Sequence, residues 1–173
     1  MKIALTRADS APRPLDLIEY GDPTHPHSRL ARQVLDAVAD EVNGDVCLRY
    51  RHFPNLESAQ SVLAACALEA AASQHQFWPM YYALGRSMSI NLATLARQAR
   101  QLDLLESQFL QELLSEQTRR TVLTDWHAGY ELGVVAAPTL VIGGQRFHGK
   151  VTLARLVPFI RMQLSRKGHR LIC

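Results

Sequence analysis

Leu17-Ile18-Glu19-Tyr20-Gly21-Asp22-Pro23-Thr24-His25-Pro26-His27-Ser28 is the stretch around which the rest of the chain is organised. It reads as a buried strand that breaks at Gly21-Asp22-Pro23 and opens a helix at His25-Pro26. Proline suits a first helical turn, where its missing N–H would have had no partner. Leu30, Val34, Leu35, Val38 and Val42 follow at helical spacing, so a helix is expected over about residues 26–41. A strand turning sharply into a helix N-terminus makes a site, because free backbone N–H groups and the positive dipole end converge there.

Upstream, residues 2–5 offer a short edge strand, and residues 15–20 read as the first central strand. Asn43-Gly44 ends the first helix, with glycine in its preferred place. Residues 46–53 read as a second strand, stopped by Pro54. Strand, helix and strand within this length predict a βαβ unit with parallel strands and a right-handed crossover. About residues 57–132 carry no strand pattern and read as four or five helices. They are expected to form an insertion or cap rather than a second core. The chain returns to β structure over residues 133–142, turns at the hairpin signal Gly143-Gly144, and pairs back over residues 145–148. Thr152 is expected to cap a last helix running to about residue 166, which Pro158 kinks or delays. The expected fold is α/β, a single domain over residues 1–173 with an all-helical insertion.

The opening stretch resembles the active-site segment of DsbA-like proteins, a branch of the thioredoxin-fold oxidoreductases, which reads roughly E-[YF]-G-D-x-x-C-P-[YH]-C. Glu19, Tyr20, Gly21, Asp22 and Pro26 match that frame. His25 stands at the attacking-cysteine position and Ser28 at the resolving one. Arg51-His52-Phe53-Pro54 is similar to the family's R-H-F-P, and Gln76-Phe77-Trp78-Pro79-Met80 to part of its helix pair Q-G-K-F-W-E-M. Gly133-Val134…Ala137-Pro138-Thr139 is similar to G-V-x-G-T-P-T, and Ile142-Gly143-Gly144…Gly149 to I-N-G…G. Together, and in the family's order, these segments cover about residues 15–164. The resemblance implies a thioredoxin-like fold with a helical insertion and a cis bond before Pro138. It also implies a groove in which Pro26, His27, Ala137 and Pro138 meet a peptide or a small thiol, with no cofactor.

Disulfide exchange needs an attacking thiolate and a second thiol that resolves the mixed disulfide. His25 and Ser28 supply neither, so the expectation is a family member silent in dithiol exchange that keeps the groove. Glu19 matches a buried acid beneath the family's site. Here it would hold His25 or a water, or else face outward, and the strand's alternation leaves both open. Two other readings stay open. His25 and His27, joined by His148 or Asp22, would suit zinc, copper or nickel, although ligand spacing alone is weak evidence and surface histidines are the commoner outcome. Kappa-class glutathione transferases share the fold and place a serine at the helix start. That position is His25 here, and Ser28 comes one turn later. Phe77, Trp78, Met80, Tyr81 and Tyr82 read as helical core, with Trp78 or Tyr82 as lesser candidates for the cleft.

Composition excludes other classes. The chain is 47% hydrophobic and 20% charged, with a formal charge of +3 and no basic block interleaved with aromatics, so no nucleic-acid face is expected. No run approaches a membrane span, and no apolar leader core is visible near the start. A cytoplasmic monomer or homodimer is the expectation. Cys47, Cys66 and Cys173 form neither a C-x-x-C nor a zinc spacing, so no metal site is expected from them. Cys47 and Cys66 read as small buried hydrophobes.

Overall fold

The strand β1 (Leu15–Gly21) alternates at its start and is fully buried from Glu19 onward. Burial on both sides is what a central strand shows. The structure, a computed structural model, describes residues 14–42 and 46–170, so the edge strand expected over residues 2–5 and the helix end at Asn43-Gly44 lie outside it. β1 is parallel to β2 (Val46–His52) and antiparallel to β3 (Thr139–Ile142), which pairs in turn with β4 (Gln145–Arg146). The sheet order is β2-β1-β3-β4.

Helices α1 (Pro26–Glu41) and α7 (Leu153–Arg170) pack on this sheet. Leu35 and Val38 meet Leu17, Leu140 and Ile142, together with Leu156 and Ile160 of α7. The apolar stripe of α1 differs from expectation at its start: Leu30 is 58% exposed and Ala31 is buried instead. Thr152 opens α7 by accepting, at its carbonyl, the N–H groups of Arg155 and Leu156 at 3.1 and 2.9 Å. Pro158 lies inside that helix and does not delay its start.

Five helices fill the middle of the chain: α2 (Ala59–Ala72), α3 (Phe77–Gly85), α4 (Leu92–Gln101), α5 (Glu106–Leu113) and α6 (Glu116–Glu131). Contrary to the expectation of a cap without its own core, they enclose a separate cluster that includes Leu68, Met80, Tyr81, Leu95 and Phe109. The alanines of α2 explain it. Ala64, Ala67, Ala70 and Ala71 are fully buried, so neighbouring helices approach its backbone closely. Phe77 and Trp78 are half-buried, and Tyr82 is exposed. A third cluster joins the two halves, with Tyr20, Phe53, Val134 and Val141 at its centre.

The strand expected over residues 133–142 is shorter than its apolar pattern suggests, and only Thr139–Ile142 pairs. Pro138 has no N–H to give a ladder, and Val135 is 90% exposed. β2 ends one residue earlier than expected, and β4 spans two residues. Cys66 is buried, but Cys47 is only half-buried. Gly143 and Gly144 take φ of +56° and +82°, as a two-residue hairpin turn requires. Gly21 is needed for another reason: a Cβ there would come within 2.5 Å of the Tyr50 ring.

Candidate functional site

The loop between β1 and α1 is pinned by Asp22, which is 4% exposed. Its Oδ1 accepts from the N–H and hydroxyl of Thr24 at 2.8 and 2.6 Å, and its Oδ2 accepts from the Ser61 hydroxyl at 2.6 Å. Ser61 belongs to α2, so the carboxylate ties the loop to the helical block. These bonds occupy both oxygens of Asp22, which makes it a structural anchor.

His25 follows at the N-cap of α1, in extended backbone geometry. Its Nδ1 accepts from the His27 N–H at 3.3 Å. An accepting Nδ1 carries no proton, so the neutral ring holds its proton on Nε2. The imidazole thus does the work usually done by a serine or aspartate cap. His25→Ala should cost about 1 kcal/mol of stability through this lost cap, read as a lower urea midpoint with unchanged slope. Pro26 and His27 are exposed, and the rings of His25 and His27 lie 5.2 Å apart. Among the described residues, no three His, Cys, Asp or Glu side chains are grouped to hold a metal ion.

Ser28 is placed differently. It is fully buried, its Oγ accepts from the Asp22 N–H at 3.3 Å, and its carbonyl accepts from the Tyr81 hydroxyl at 3.3 Å. The two positions that match the family's cysteines therefore differ in access: His25 is half-open and Ser28 is sealed.

His25 and Ala137 line one cleft of about 590 Å³. The Ala137–Pro138 peptide bond is cis, and Pro138 is half-buried. The N–H and C=O groups of Val135 and Ala137 have no hydrogen-bond partner among the described residues, whereas the Ala136 carbonyl accepts from the Thr139 hydroxyl at 2.7 Å. Aromatic rings form another part of the wall. Phe53 stacks on Trp126, and Trp126 on Tyr130, with centroids 5.4 and 5.3 Å apart and ring planes within 9° of parallel. Tyr130 is 64% exposed. The cleft's lining includes Asp22 and Glu57 but no lysine or arginine. Sequence reasoning missed this wall, although the four-residue spacing of Trp126 and Tyr130 on α6 places both on one helix face.

Glu19 does not face outward; it is fully buried. Its charged neighbour is Arg32 rather than His25, with Nη1 3.5 Å from Oε2, and neither carboxylate oxygen accepts a hydrogen bond from the protein. Arg32 directs Nε and Nη2 at Asp36 instead, at 2.9 and 2.5 Å, and lies over the Trp78 ring at 4.4 Å. Burial pushes the Glu19 carboxyl up from 4.5 to about 7, against the pull of Arg32 and with a further push from Asp36. No sequence signal pointed to Arg32.

A thioredoxin family model matches residues 10–161. The Na(+)/H(+) antiporter NhaA 3 of Salinispora tropica is 30% identical over 147 residues, which is 83% of this chain and 22% of that protein. The chain thus spans less than a quarter of the length of that curated relative. Among the described residues, no helix is long and apolar enough to cross a membrane. A thioredoxin-like oxidoreductase from Silicibacter pomeroyi superposes with a TM-score of 0.79 at 24% identity, covering 90% of this chain and 88% of that one. Wolbachia pipientis alpha-DsbA1 superposes with a TM-score of 0.77 at 19% identity, covering 96% and 97%. Likeness at these identities speaks for the fold.

Proposed function

The chain belongs to the thioredoxin family whose model spans residues 10–161, with a DsbA-like fold, and on that premise we propose that it binds an extended peptide without exchanging disulfides. The observation that carries this reading is the unpaired backbone of Val135 and Ala137 beside His25, in a cleft walled by stacked rings. An extended segment adds to such an edge through main-chain hydrogen bonds, and its side chains take their preference from the neighbouring walls. Apolar and aromatic side chains suit Phe53, Trp126 and Tyr130.

The charge of the cleft favours a peptide over glutathione. Glutathione carries two carboxylates, and no lysine or arginine lines the cleft to meet them. The kappa-type reading also loses support, because the Ser28 hydroxyl is buried and engaged. Exchange chemistry has no thiol at either motif position, since His25 and Ser28 stand there.

The test joins binding and turnover. A cysteine-free extended peptide with aromatic side chains is expected to bind, followed by tryptophan fluorescence or calorimetry. Trp126→Ala should weaken it about tenfold, as loss of a stacked anchor does. Insulin reduction should stay at the level of a variant without cysteines. Catalysed insulin reduction, or glutathione binding that the peptide cannot displace, would overturn the proposal.

A further inference from the structure

The turn between α3 and α4 opens a second hollow, of about 430 Å³, away from the cleft described above. Arg86 and Arg97 stand at its rim, with Ser87, Ser89 and Thr94 beside them, and no aspartate or glutamate is among its lining residues. Four other arginines of the sheet and the helical block, Arg49, Arg51, Arg100 and Arg120, have carboxylate partners. Arg86 and Arg97 have none among the described residues. Two guanidinium groups sharing a concave site without a carboxylate create a local positive potential that favours an anion.

The floor is held by a buried amide. Gln98 is 6% exposed and donates from Nε2 to the Ala83 carbonyl at 3.3 Å and to the Ser87 hydroxyl. Its Oε1 has no hydrogen-bond partner in the protein. Guanidinium forks match the spacing of phosphate oxygens, which makes arginine a better phosphate holder than a point charge.

We propose that this hollow binds a phosphate ester, with the phosphate between Arg86 and Arg97. Free glycerol phosphate and the headgroup of a glycerophospholipid share that chemistry. Two arms separate them: calorimetric titration with glycerol phosphate at low salt, and co-sedimentation with vesicles of equal phosphatidylglycerol and phosphatidylcholine. Binding in either arm should fall at least tenfold in Arg86→Gln and in Arg97→Gln, both exposed positions. It should be unchanged in Arg120→Gln, whose guanidinium pairs with Glu116 on α6. Binding in the first arm alone identifies a free metabolite, and in the second alone a lipid. Binding in neither arm, or an equal loss in Arg120→Gln, would overturn the assignment.

Discussion

Glu19→Gln should stabilise the protein by about 3 kcal/mol at about pH 8.5 and leave it nearly unchanged at about pH 4. The folded state holds the Glu19 proton up to about 7, whereas the unfolded chain releases it near 4.5. Between those values the folded state binds more protons than the unfolded state, so this group's contribution falls as pH rises. Above about pH 7 the burial of an ionised carboxylate is fully expressed, and Arg32 at 3.5 Å offsets only part of it. Glutamine keeps the shape of the protonated acid and cannot ionise. Urea unfolding of both proteins across this range reads the difference directly, because the other titrating groups cancel between them. A substitution that destabilises equally at every pH would show instead that Glu19 is held as a well-paired carboxylate.

The second large effect concerns the motif. His25→Cys combined with Ser28→Cys, in a Cys173→Ser background, is expected to close a disulfide under mild oxidant and to gain insulin-reducing activity. The geometry favours it. Position 25 is the N-cap, where free N–H groups and the helix dipole stabilise a thiolate, and position 28 sits one turn on, sealed beneath it. An exposed attacking thiol above a buried resolving one is the arrangement exchange requires. Thiol counting and mass measurement before and after reduction report the bond. Four free thiols in a folded double variant, rather than the two of Cys47 and Cys66, would count against equating His25 and Ser28 with the cysteine positions.

The loop at Gly21-Asp22-Pro23, the helix start at Pro26 and the hairpin at Gly143-Gly144 were legible because each rests on a local backbone constraint that one residue type satisfies. The parallel pairing of β1 and β2 followed from the length of the connection. What stayed hidden depends on packing between distant segments. The alanines of α2 show no apolar stripe to announce a core, because the helix is covered nearly all round. Residues 133–137 have the composition of a strand, yet they join no strand ladder on the way to Pro138. Glu19 could not be placed from strand alternation, since β1 is buried on both faces beyond Ile18. Its partner Arg32 lies on α1, and no spacing in the sequence links the two. The ring stack needed Phe53, at the end of β2, to be brought against α6.

The most direct measurement is amide chemical-shift mapping of the isotope-labelled protein with the cysteine-free extended peptide. Saturable shifts are expected at Val135, Ala136, Ala137 and His25 and at the Trp126 indole N–H, with α3, α4 and α5 unmoved. Shifts confined to other surfaces, or no shifts up to millimolar peptide (about −4 kcal/mol of binding), would contradict the claim that this cleft is a peptide site.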